Sequence, residues 1–136
     1  MDPIDFNSRI LIVDDSYAML RIVKKFFKNN GFHHILEAND GIEALEMIQT
    51  ENTIRLIVSD LNMPRMNGLE LLKIIKEDHR TKNIPFVMLT VEAIQRTMNK
   101  AIGMGVDSYI VKPVTEKTFI NEILRVIRVK NENPPD

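Results

Sequence analysis

Ile10-Leu11-Ile12-Val13-Asp14-Asp15-Ser16 is a short β-branched run that stops at two carboxylates and a hydroxyl. Consecutive apolar residues without polar alternation suit a strand buried on both faces, and a serine just beyond suits a helix cap. Leu56-Ile57-Val58, Phe86-Val87-Met88-Leu89 and Tyr109-Ile110-Val111 repeat the pattern, while His34-Ile35-Leu36-Glu37-Ala38 is a more polar version fit for a strand nearer an edge. The intervening segments have helical periodicity. Leu20, Val23 and Phe27 follow Ser16 at helical spacing, and Gly31 supplies a stop. Asp40 with Glu43 and Asn67 with Glu70 have capping-box spacing, ahead of Leu45 and Ile48 and of Leu69, Leu72 and Ile75. A fourth helix is expected from Glu92 to Met104, closed by Gly103 and Gly105. A fifth is expected from Thr115 to Val129, with Phe119, Ile123, Val126 and Ile127 on one face. Five β-α units in succession predict an α/β doubly wound parallel sheet, because each right-handed crossover lays its helix on a sheet face.

The chain has 136 residues, the length of one domain. Residues 1–8 are expected to be an N-terminal extension, 9–130 the folded domain, and 131–136, polar with two prolines, a disordered tail. Eighteen Lys and Arg against nineteen Asp and Glu leave a net charge of −1, so no basic field favours nucleic acid or an anionic membrane. Without cysteine there is no disulfide framework, thiolate metal site or thiol nucleophile. The acidic start, Met1-Asp2-Pro3-Ile4-Asp5, is no signal peptide. The apolar runs are far shorter than the roughly 20 residues that span a bilayer, and a cytoplasmic protein is expected.

The chemistry lies in what ends each run. Asp14-Asp15 follow the first strand, Asp60 the third, Thr90 the fourth, and Lys112-Pro113 the fifth. Parallel strands point their C-terminal ends to one edge, where open α/β sheets bind ligands. Three carboxylates, a hydroxyl and an ammonium should therefore converge. The carboxylates would repel unless a cation sat among them, and Mg2+ suits such hard oxygen ligands while accepting an anionic group. A lysine and a threonine hydroxyl could then hold phosphoryl oxygens, which is equipment for phosphoryl transfer onto a carboxylate. No glycine-rich phosphate loop is present, so the donor is expected to be a small phosphodonor or a partner protein.

Leu11-Ile12-Val13-Asp14-Asp15, Val58-Ser59-Asp60-Leu61-Asn62-Met63-Pro64-Arg65-Met66-Asn67-Gly68, Met88-Leu89-Thr90 and Val111-Lys112-Pro113 resemble the receiver domain of two-component response regulators. The resemblance spans Arg9 to Val129 and is greatest to single-domain chemotaxis regulators. It implies a flavodoxin-like (βα)5 fold with strand order 2-1-3-4-5. It implies Asp60 as phosphoacceptor from a histidine kinase, and Mg2+ held by Asp14, Asp15, Asp60 and the backbone carbonyl of Asn62, with Asp14 acting largely through water. Lys112 would pair with phosphoryl oxygens, Thr90 would move to bond one of them, and Tyr109 would be the aromatic partner of that switch. Lys112-Pro113 would be a cis peptide. An output protein such as a flagellar-motor switch protein would follow, and a phosphatase would be a further partner. The domain would be no enzyme, beyond self-catalysed phosphorylation and dephosphorylation. Val91 departs from the family, which usually carries Ala or Gly there. Its branched side chain, with Asn62 and Glu92, would modulate access to the phosphoryl group.

Each residue also has a plainer use. An Asp pair can be a turn or cap, Thr90 can start a helix, Lys112 can be a solvated lysine, and Tyr109 can be a static aromatic. Convergence on one edge favours the chemistry. His33 and His34, adjacent on an expected strand, would face opposite ways and share no metal. Ile94 is open between core and a partner-binding face. Alternatives are a phosphorelay intermediate, or a receiver separated from a DNA-binding output domain. A phosphatase is disfavoured because Asn62 stands where such enzymes need an acid. A flavin carrier is disfavoured because Asp14-Asp15-Ser16 would repel its phosphate.

Overall fold

Alternate residues of each strand leave the sheet on opposite faces, and helices cover both. The structure, a computed structural model, describes residues 3–135. The chain runs β1 (Arg9–Val13), α1 (Tyr17–Asn29), β2 (Ile35–Ala38), α2 (Gly41–Thr50), β3 (Ile54–Ser59), α3 (Gly68–Glu77), β4 (Phe86–Thr90), α4 (Gln95–Gly103), β5 (Ser108–Val111) and α5 (Glu116–Glu132). All strand pairs are parallel, in the order β2-β1-β3-β4-β5, which is the flavodoxin-like arrangement.

Ile10, Ile12, Leu56, Val58, Val87, Leu89 and Ile110 meet α1 and α5 on one face, while Leu11, Val13, Ile57, Phe86 and Met88 meet α2 to α4 on the other. Phe27 and Phe119 cross edge to face at 5.4 Å, joining α1 to α5, a geometry worth about 0.5–1.5 kcal/mol beyond burial. The expected caps form: Ser16 accepts from Met19 N–H, Asp40 from Glu43 N–H, and Asn67 with Glu70 makes a reciprocal capping box.

Three expectations shift. The expected tail begins too early, because Asn131 and Glu132 belong to α5 and the Asn131 side chain bonds both backbone groups of Ile4 at 2.9 Å. The expected extension is likewise part of the fold, since Ile4 is buried in the core and Phe6 packs on Phe32 at 4.7 Å. Met1 and Asp2 of that extension, and Asp136 of that tail, lie outside the described residues. The fourth helix starts at Gln95 rather than Glu92, since Glu92 is held by bonds to Thr90 and Tyr109. His33 and His34 are exposed and precede β2.

Candidate functional site

The sheet order places the C-terminal ends of β1 and β3 side by side, and Asp60 N–H donates to the Val13 carbonyl at 2.8 Å. Asp14, Asp15 and Asp60 thereby come together, each offering one carboxylate oxygen within 4.8 Å of the others. Asp14 is only 7% exposed. Its Oδ1 accepts from Ser16 N–H at 2.8 Å, and its Oδ2 from Lys112 Nζ at 3.1 Å. Burial pushes the Asp14 carboxyl above its ordinary range. The Ser16 amide and Lys112 ammonium oppose that shift, and the nearby Asp60 charge adds to it. Asp15 is exposed and Asp60 half-buried, so the cluster opens outward. Hard oxygen donors with one carboxylate held against its preferred ionisation fit a divalent cation such as Mg2+.

Asp60 Oδ1 accepts from Leu61 N–H at 2.7 Å, which fixes the carboxylate at the head of the β3–α3 loop. Ser59, fully buried, donates its hydroxyl to the Asp60 carbonyl at 2.8 Å. The loop closes where Gly68 N–H donates to the Leu61 carbonyl at 2.7 Å. A side chain at Gly68 would overlap the Asp60 carbonyl oxygen and stand 2.9 Å from Leu61 Cα. Gly68→Ala is therefore expected to destabilise by roughly 1–3 kcal/mol through overpacking against backbone. A urea melt with an unchanged midpoint would show that this approach is not needed.

Across the site, Lys112 joins Pro113 through the expected cis peptide, and its side chain is 11% exposed. Thr90 ends β4 fully buried, with its hydroxyl accepting from Glu92 N–H at 3.2 Å. Tyr109, half-buried on β5, donates its hydroxyl to the Glu92 carbonyl at 2.7 Å. Burial first, then the charges of Glu92 and Asp60, raise the phenol further above its ordinary value, so it remains a donor. Thr90 and Tyr109 thus grip the two backbone groups of one residue. Val91, between Thr90 and Glu92, is 69% exposed and packs into no core. Ile94, at the N-cap of α4, and Ile102 within α4 are also exposed, which settles Ile94 as a surface residue. Asn62 is exposed and Glu92 half-buried.

Sequence reasoning missed the pairing of Arg65 with Asp40, in which Arg65 Nε and Nη2 donate to Asp40 Oδ2 and Oδ1 at 2.6 and 3.1 Å. The guanidinium holds the Asp40 carboxyl below its ordinary range. Asp40 was visible only as a cap, and nothing in the spacing ties it to a distant loop arginine.

Residues 10–124 match the family described as the response regulator receiver domain. The chain is 39% identical over 124 residues to chemotaxis protein CheY1 of Helicobacter pylori strain J99, covering 91% of this chain and 99% of that one. A solved chemotaxis response regulator, CheY4 of Vibrio cholerae, superposes with a TM-score of 0.81 at 31% identity, covering 88% of this chain and 98% of that chain. A CheX–CheY–BeF3–Mg2+ complex from Borrelia burgdorferi gives a TM-score of 0.80 at 28% identity, with 88% of each chain covered. With the family match running through the strands that carry its carboxylates, lysine, threonine and tyrosine, the chain belongs to the response regulator receiver domain family.

Proposed function

We propose that Asp60 accepts a phosphoryl group from a phosphohistidine of a histidine kinase, and that the resulting rearrangement changes binding to an output protein of chemotaxis. The observation that carries this reading is the meeting of Asp14, Asp15 and Asp60 within 4.8 Å, with Lys112 reaching the same cluster at 3.1 Å. One Asp60 oxygen is engaged by Leu61 N–H, so the other is assigned as nucleophile. It forms the new O–P bond as the P–N bond to imidazole breaks, and the imidazole leaves. Asp14, Asp15, Asp60 and the Asn62 backbone carbonyl would hold Mg2+, which supplies charge neutralisation at phosphoryl oxygens. Lys112 Nζ exchanges its bond with Asp14 for one to a phosphoryl oxygen. The Thr90 hydroxyl, which uses an oxygen lone pair on Glu92 N–H, keeps its proton free to donate to another.

Movement of Thr90 pulls on Glu92, and Glu92 is also bonded by Tyr109. The switch would thus reach β5, the exposed Ile94 at the start of α4 and the exposed Ile102 within it, a face suited to an output partner such as a flagellar-motor switch protein. The domain acts as a phosphoacceptor with self-catalysed gain and loss of the group, not as an enzyme on external substrates, and a phosphatase partner would shorten the signal. Cytoplasmic action is part of the proposal, and no helix among the described residues is long and apolar enough to cross a membrane. The test is incubation with acetyl phosphate and Mg2+, then a pull-down with the motor-switch protein. Binding that is identical before and after labelling overturns the switch reading.

Val91 borders the proposed entry to the phosphoryl group, and a β-branched side chain is stiff at χ1. Val91→Ala is expected to speed labelling by acetyl phosphate a few fold, on the order of 1 kcal/mol in activation free energy. Because Val91 is exposed, truncation leaves no cavity, and stability should stay within about 0.5 kcal/mol. Stopped-flow labelling with unchanged rates would retire the gate.

A further inference from the structure

The β3–α3 loop is tied to the β2–α2 junction by a contact outside the phosphoacceptor chemistry. The buried Asp40 takes both Arg65 bonds while its Oδ1 also caps α2 through Glu43 N–H at 2.9 Å. Beside it, Gly41 N–H donates to the Met66 carbonyl at 3.2 Å, and a Cβ on Gly41 would stand 2.7–2.9 Å from Met66 atoms. Arg65 has φ 64°, a left-handed conformation uncommon outside glycine, and Met66 N–H bonds the Pro64 carbonyl across it at 2.7 Å. A glycine would make that turn at lower cost, so the turn alone gives no reason for arginine. The two-point bond to Asp40 does, since a guanidinium fork fixes direction as well as attraction.

The same junction abuts the carboxylate cluster. Asp14 N–H donates to the carbonyl of Ala38, two residues before Asp40, at 3.1 Å. The loop is therefore anchored at its start by Asp60 on Val13, at its end by Gly68 on Leu61, and near its tip by Arg65 on Asp40 and by Gly41 on Met66. Asn62 lies between these anchors.

We propose that the Asp40–Arg65 pair is a positioning device for the cation site, holding the β3–α3 loop so that the Asn62 carbonyl is in place before Mg2+ arrives. This rests on the Mg2+ site of the proposed function. Neither residue touches the cation, and both act through loop backbone. A ligand carbonyl on an untethered loop must be ordered on binding, which weakens affinity. The Arg65 side chain is 59% exposed and its guanidinium is screened by water, while the buried Asp40 keeps its Glu43 N–H bond without it, so the effect should appear more in cation affinity than in folding.

Arg65→Gly keeps the left-handed turn and removes the side chain with its guanidinium, while Arg65→Lys keeps the charge without the fork. Calorimetric Mg2+ titration of the parent and both variants, with urea melts free of divalent ions, separates the cases. The expected result is a Kd about tenfold weaker for Arg65→Gly, an intermediate Kd for Arg65→Lys, and cation-free midpoints close to the parent. A parent that binds Mg2+ beside an Arg65→Gly variant of equal affinity overturns the positioning role and spares the metal site. A parent that binds no Mg2+ overturns both. A lowered cation-free midpoint with unchanged Kd makes the pair a structural staple and overturns the inference.

Discussion

Replacing Asp60 with asparagine is expected to abolish covalent labelling by acetyl phosphate. Asparagine keeps the shape and leaves an oxygen to accept from Leu61 N–H, so the loop should keep its course. It removes the anionic oxygen proposed to attack phosphorus, and an amide oxygen is a poor nucleophile. It also removes one charge from a cluster whose members lie within 4.8 Å, so cation-free stability should not fall. Lys112→Ala should act differently. Asp14 then loses its ion pair but keeps the Ser16 amide, and Asp60 remains as nucleophile. Labelling should persist while phosphorylation-dependent partner binding is lost. Intact-mass spectrometry on both variants, paired with the pull-down, reads the two effects separately. A labelled Asp60→Asn domain would place the acceptor on another residue and sink the assignment.

The sheet and the edge that carries the candidate site were legible because both follow from short-range sequence. A β-branched run states a buried strand, the residue after it stands at the strand end, and parallel order brings the ends together. Asp14, Asp15, Asp60, Thr90 and Lys112 needed no more than that. What stayed hidden depends on contacts between distant segments. Asn131 looked like tail because its composition is polar, yet its amide satisfies both backbone groups of Ile4 across the fold. Nothing local marks Arg65 as a structural partner, yet it bonds a cap twenty-five positions earlier. Glu92 carried the marks of a helix start, and a local bond to Thr90 together with the tertiary bond from Tyr109 holds its backbone outside α4. Exposure of Ile94 was undecided in sequence because α4 buries little more than Ala101, so its periodicity does not announce an inner face.

Millimolar Mg2+ is expected to raise the unfolding midpoint of the parent protein. The unfolded chain does not hold Asp14, Asp15 and Asp60 together, so a cation that needs all of them binds the native state and stabilises it by mass action. At about 100 times Kd the gain is roughly 2.7 kcal/mol. The pH dependence has a definite sign. Burial raises the folded Asp14 carboxyl above its unfolded value, so without a cation its ionisation lowers stability as pH rises through that interval. A bound cation requires the ionised form, so protons compete with it and the Mg2+ gain should grow over the same interval. Asp15→Ala removes the exposed member of the cluster without disturbing the Asp14–Lys112 pair, and should erase most of the gain while leaving the cation-free melt close to the parent's. Urea melts with and without Mg2+ at neutral and mildly acidic pH test all of this together. A midpoint that ignores Mg2+ in the parent means these carboxylates are not a cation site, whereas a gain that survives Asp15→Ala moves the cation elsewhere on the protein.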